Sequence, residues 1–149
     1  MIVRQEPLAW LMRDGLEGIA RQQWTESNQD GEFGVVWINL LEAERDCRFQ
    51  VVAARAGAKL VGYNSFWIDT TYRSGQIRIA RNDVMYLLPE YRRGWNGVRL
   101  VREGERIARE AGAKRISYGL ETWYREGAVC KLLSRMGYAK TGELYSRAL

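Results

Sequence analysis

The chain has 149 residues, with 23 Lys+Arg against 18 Asp+Glu, a formal net charge of +5 and no histidine. That length suits one domain with a substantial core, and 46% hydrophobic with 28% charged residues is an ordinary globular composition. Without histidine there is no Ser-His-Asp triad, and Cys47 and Cys130 lack the spacing of a zinc site. Both cysteines are predicted to be small buried apolar residues, reduced in the cytosol. No apolar run reaches membrane-spanning length and the first residues carry no signal-peptide pattern, which predicts a cytoplasmic protein. Basic residues alternate with acids, as in Arg102-Glu103-Gly104-Glu105-Arg106. That pattern is a solvated helix face rather than a nucleic-acid surface.

Residues 2–5 are predicted to form a short first strand. After Pro7, the positions Leu8, Leu11, Met12, Leu16, Ile19 and Ala20 fall on one stripe of a helix. Residues 25–31 form a polar stretch rich in turn formers. Trp37, Leu40, Leu41 and Glu44 predict a second helix, although residues 35–38 also have strand composition. Residues 49–54 then predict a strand, 56–58 a turn and 59–68 its antiparallel partner. Residues 72–75 turn the chain into 76–80, a strand that leads through Asn82 to Leu88. The three strands make a meander.

Pro89 stops the last of them, because proline has no N–H to give to a ladder. Arg92, Arg93, Gly94 and Gly97 follow, and from near Asn96 the residues Leu100, Val101, Ile107, Ala108 and Ala111 recur at helical spacing. A helix start carries unpaired backbone N–H groups and the positive end of the dipole. With two arginines beside it, and glycines that admit a ligand to the backbone, this turn suits a pyrophosphate. Gly112 closes the helix. Residues 114–121 predict a strand that runs parallel to the one before the helix, because a crossover joins them. Val129, Leu132, Leu133 and Met136 mark a further helix, stopped by Gly137. Residues 138–140 and 144–147 are candidate terminal strands. No repeat or linker divides the chain, so residues 1–149 are read as one domain.

A strand ending in Leu87-Leu88-Pro89-Glu90-Tyr91-Arg92, a basic glycine turn and an amphipathic helix resemble the acetyl-CoA-binding segment of the GNAT acyltransferase superfamily. Arg92 and Gly97 match the first and last positions of that family's Arg/Gln-x-x-Gly-x-Gly/Ala. Trp95 replaces the middle glycine, and Gly94 lies one place earlier. The layout of residues 83–97 is also similar to that of bacteriophage-encoded members. Residues 132–138 resemble the family's Leu-Tyr-x-x-x-Gly-Phe ending, with Leu133 where tyrosine is usual. The resemblance implies an α/β (α+β) GNAT-type fold with a central mixed sheet, an antiparallel meander, a βαβ crossover and flanking helices.

The function it implies is transfer of an acetyl group from acetyl-CoA to a primary amine of a small molecule or protein by direct attack. Met85, Tyr86, Leu87 and Leu88 would hold the pantetheine arm as a strand edge, opposite residues 117–121. Arg92, Arg93, Gly94, Trp95, Asn96 and Gly97 would take the pyrophosphate. Asp83 is the first candidate base; alternation places it on one face with Met85 and Leu87 unless a bulge intervenes. A structural pairing with Arg81 is the competing role. Glu121 is the second candidate base, or else a surface or capping carboxylate. Leu133 cannot donate a proton, so Tyr124 or Tyr118 would be the acid, or solvent would. Core packing is the alternative for both tyrosines, and also for Trp37, Trp67 and Trp123 as walls of an acceptor pocket. Neither nucleic acid nor membrane is an expected partner, and a homodimer is one option for assembly. The competing reading is a catalytically weak or inactive CoA-binding or protein-interaction module with the same fold. The missing tyrosine favours that module and the retained turn opposes it.

Overall fold

The structure, a computed structural model, describes residues 1–27, 31–73, 75–119 and 126–142. One sheet carries the strands β1 (Ile2–Gln5), β2 (Phe49–Ala56), β3 (Lys59–Thr71), β4 (Ile77–Leu87) and β5 (Arg115–Ser117), in that spatial order. The first four pair antiparallel and β5 pairs parallel with β4, as the intervening helix predicts. The helices are α1 (Leu8–Arg13), α2 (Leu16–Glu26), α3 (Trp37–Arg45), α4 (Asn96–Glu110) and α5 (Glu126–Arg135). This mixed α/β arrangement is the one expected. Among the described residues no helix is long and apolar enough to cross a membrane, and no three His, Cys, Asp or Glu side chains gather to hold a metal.

Residues of β2 and β3 are buried almost without alternation, because helices cover both faces of the sheet's centre. On one face α4 buries Leu100, Val101, Ile107 and Ala108. It comes close because residue 104 is glycine: a Cβ there would stand 2.5 Å from Phe66 Cζ and 3.0 Å from Asn64 Nδ2. The opposite face takes α2, whose Glu26 meets the Tyr86 hydroxyl. Between β3 and β4 the backbones are close at Gly62, where a Cβ would overlap the Tyr86 carbonyl oxygen and lie 2.6 Å from Leu87 Cδ2. Gly62→Ala should therefore force the two strands apart and cost about 3 kcal/mol, the upper part of the range for overpacking. Urea unfolding of the variant measures this.

The single helical stripe predicted for residues 8–20 is two helices. Gly15, at φ +97°, turns the chain between them, and Leu8, Leu11, Leu16, Ile19 and Ala20 still reach the core from both pieces. A cluster of ions braces this corner. Arg55 donates to both Glu6 oxygens at 2.7–3.0 Å and to Asp14 Oδ2 at 2.7 Å. The α2 helix also extends through Thr25 and Glu26, which the sequence places in the polar loop; residues 28–30 of that loop lie outside the described residues.

Cys47 and Cys130 are exposed, contrary to their predicted burial. Cys47 sits in the turn after α3 at φ +57°, and Cys130 is on the solvent side of α5, so position overrides the apolar character of the thiol. Of the strand predicted for residues 114–121, the structure forms Arg115–Ser117, while 120 and 121 lie outside the described residues. Residues 138–140 are in no strand, and their expected partner, 144–147, is likewise outside.

Candidate functional site

Among the described residues, pairing of β4 with β5 covers only Ile79–Arg115, Ala80–Ile116 and Arg81–Ser117, whereas β4 continues to Leu87. Just beyond the last of these pairs the β3–β4 register slips: Phe66 faces Asn82 and Ser65 faces Val84, leaving Asp83 as the extra residue of a bulge. Asn82 braces it, its amide donating to Asn64 Oδ1 at 2.8 Å, Ser65 O at 3.0 Å and Val84 O at 3.1 Å. Asn64 in turn donates to Leu100 O and to the Tyr118 hydroxyl, both at 3.2 Å. The bulge is thus tied through the half-buried Asn82 and the buried Asn64 to the first turns of α4.

Cross-strand partners share a face, so Met85 lies with Asn64 and Leu87 with Gly62, on the side that packs against α4. Asp83 points the other way. Its Oδ2 accepts from Ser65 Oγ at 3.3 Å and its Oδ1 from Trp67 Nε1 at 3.4 Å. The expectation that Asp83 shares a face with Met85 and Leu87 is corrected by the bulge, which inserts one residue into a period of two. Arg81, its competing partner, pairs with Asp69 instead. Asp83 keeps an open edge to solvent, yet desolvation by the surrounding protein pushes its carboxyl above its ordinary value. The bonds from Trp67 and Ser65 oppose that shift without cancelling it.

At the end of β4, Leu88 donates its N–H to Val61 O at 2.9 Å. Antiparallel alternation then turns the N–H and C=O groups of Leu87 and Met85 away from β3, towards the side where β5 lies. The turn follows through Pro89–Tyr91 and Gly94, whose φ of +60° favours glycine. Trp95 stands at the N-cap of α4 with no side-chain capping bond, and the N–H groups of Gly94, Trp95, Gly97 and Val98 have no acceptor among the described residues. Arg93 and Trp95 are exposed beside them. Asn96 Nδ2 holds the turn's shape by donating to Tyr91 O at 2.9 Å. This corner fits a polyanion: backbone donors and a helix dipole meet no counterpart among the described residues.

Two turn residues also make contacts within the protein. Arg92 donates from Nε to Leu87 O at 2.7 Å and from Nη2 to Glu26 Oε2 at 2.6 Å, and its guanidinium lies 5.0 Å from the Tyr86 ring centroid. A Cβ on Gly97 would meet Leu132 Cδ2 at 3.0 Å, so this glycine lets α5 approach α4.

The profile of the Acetyltransferase (GNAT) family matches residues 13–138. The chain belongs to the GNAT acetyltransferase family. Its fold is similar to that of an aminoglycoside acetyltransferase from an uncultured soil metagenomic sample, in complex with sisomicin, at TM-score 0.78 and 12% identity over 99% of this chain and 95% of that one. An aminoglycoside N-acetyltransferase in complex with CoA gives 0.74 and 15% over 99% and 98%. A ribosomal-protein-alanine N-acetyltransferase from Brucella melitensis biovar Abortus 2308 gives 0.70 and 15% over the whole of both chains. None of the curated proteins matches the sequence.

In this GNAT chain Asp83 and the turn after Pro89 lie at the two ends of the same short segment of β4. Glu121, Tyr124 and Trp123 lie outside the described residues. Tyr118 is on the α4 side, its hydroxyl bonded by Asn64 and its ring edge-on to Phe66 and Tyr138; burial pushes its pKa up. Leu133 is buried. Trp67 belongs to the Asp83 environment, whereas Trp37 packs against the core. A pocket of about 360 Å³ lined by Arg109, Lys114, Ile116 and Tyr138 opens at the far end of α4 from the turn, so it is separate from this site. Glu26 has no local signal in the sequence: it meets Arg92 from 66 residues away.

Proposed function

We propose that this GNAT acetyltransferase moves an acetyl group from acetyl-CoA to a primary amine by direct attack. The uncapped start of α4, next to the strand end that β5 leaves, carries the reading. The backbone N–H groups of Gly94, Trp95, Gly97 and Val98 and the exposed Arg93 receive the cofactor's pyrophosphate, and the strand end from Met85 to Leu88 lies beside its extended arm, with the Leu87 carbonyl engaged by Arg92. Acetyl-CoA supplies an activated acyl group on a thiol leaving group. Asp83 takes the proton from the amine, directly or through water, from an edge that solvent reaches. The ordered corner contributes by approximation.

An amine-bearing acceptor is supported by the similar folds, two from aminoglycoside acetyltransferases and one from a ribosomal-protein-alanine N-acetyltransferase. The second reading, a CoA-binding module without turnover, is favoured by one observation. Leu133 stands where a proton donor is usual, and Tyr118 bonds on the other face.

Calorimetry with acetyl-CoA and CoA, followed by thiol release over a panel of amines, separates these readings. Saturable binding is expected, with release for at least one amine class. No binding of acetyl-CoA, CoA or a longer acyl-CoA removes the cofactor assignment. Binding without release across small amines and peptide termini supports the module.

A further inference from the structure

We propose that Glu26 is a positioning residue for the cofactor turn, holding Arg92 against the end of β4 so that the start of α4 keeps its anion-receiving shape. The inference rests on the reading of that turn as the cofactor site. Glu26 is the last residue of α2, where the helix dipole disfavours a carboxylate. Its position therefore serves its partners better than its own helix. One oxygen accepts from the Tyr86 hydroxyl at 2.6 Å and the other from Arg92 Nη2 at 2.6 Å. Arg92 spans the remaining gap with its Nε on Leu87 O. The last turn of α2, the final residues of β4 and the first residue of the basic turn are thereby joined by three charge-assisted bonds and a cation–π contact.

Burial pushes the Glu26 carboxyl up, but Tyr86 and Arg92 more than offset this, so it stays ionised at neutral pH. With its guanidinium satisfied at Leu87 and Glu26, Arg92 shapes the site, and the exposed Arg93 has no ion-pair partner among the described residues. Without Glu26, Arg92 can rotate away from Leu87 and the turn loses its tether to the sheet.

Calorimetric CoA binding is measured for wild type, Glu26→Gln, Arg92→Met, the double variant, and Glu6→Gln as a control destabilised at a distance. Glu26→Gln is expected to weaken CoA binding about tenfold, the scale of one charge-assisted hydrogen bond. Arg92→Met should do at least as much, and the double variant no more than Arg92→Met alone. Glu6→Gln should lose thermal stability and bind CoA as wild type does, which a merely structural role for Glu26 would not predict. Binding by Glu26→Gln as tight as wild type or tighter overturns the proposal, as do independent, additive effects of the two substitutions. If Glu26→Gln does not fold, unaltered binding by Arg92→Met overturns it equally. Failure of the wild type itself to bind CoA is a different result, which removes the cofactor reading.

Discussion

Asp83→Asn should bind acetyl-CoA nearly as wild type and lose about 10²–10⁴-fold in turnover near neutral pH, the usual contribution of a general base. An amine with a pKa near that of lysine is mostly protonated there and cannot attack until its proton is removed. The asparagine keeps the shape and the bonds with Ser65 and Trp67 within reach, but it cannot take a proton. Part of the loss should return at high pH, where more acceptor is already neutral. Stability gives an independent check. Desolvation raises the folded-state pKa of Asp83 above 3.8, so the folded chain binds this proton more readily than the unfolded chain does. The penalty is absent below the unfolded pKa, grows as pH rises through the folded value and is complete at neutral pH. Asp83→Asn should therefore match or exceed the wild-type melting temperature at pH 7, with the difference vanishing near pH 3. A strongly destabilised variant would show that the carboxylate serves the bulge. Unchanged turnover would assign proton removal to Glu121 or solvent.

An effect on stability as large as that of Gly62→Ala is expected from Glu6→Gln. Glu6 is 4% exposed and Arg55 8%, and the pair is bonded bidentately with Asp14 and the Ala58 carbonyl completing the guanidinium's contacts. Removing one charge from a water-excluded pair leaves the other short of compensation, at about 3–5 kcal/mol. The cluster lies close to the molecular surface and Asp14 remains, so the lower end, about 3 kcal/mol, is expected; for a chain of this size that is roughly 6–12 °C in melting temperature. The pH dependence has a definite sign. Bonding to Arg55 holds Glu6 below its ordinary 4.5, and bonding to Arg13 and Arg55 holds Asp14 below 3.8. Their contribution is complete above those unfolded values and is lost as pH falls through the lower folded ones. The gap between wild type and Glu6→Gln should therefore be full at pH 7, narrow as pH falls below 4.5, and close only once Glu6 is protonated in the folded chain as well. A gap as wide at pH 3 as at pH 7 would mean the substitution acts through packing.

Much of the fold is legible in the chain itself, because its signals are local. Strand-forming composition and turn formers mark the meander, Pro89 marks the end of β4, and the 3.6-residue period with a glycine-rich approach marks the start of α4. These reveal the sheet, the crossover and the turn proposed to receive the cofactor's pyrophosphate.

What the tertiary structure decided depends on which strands and helices meet. No glycine or proline flags the bulge at Asp83; it forms because Asn82, held by Asn64, and Ser65 satisfy the backbone once β3 and β4 are paired, and it moves the candidate base to the other face. Gly15 sits inside an unbroken apolar stripe, and only docking on the sheet shows that the helix must turn there. Arg92 looks like a phosphate ligand in sequence, and Gly97 looks like a phosphate-approach glycine. Folding brings Glu26 to the first and Leu132 to the second. A periodic pattern records which residues seek the core, but a side chain's partner across the fold is set by register and packing, and those exist only after the elements come together.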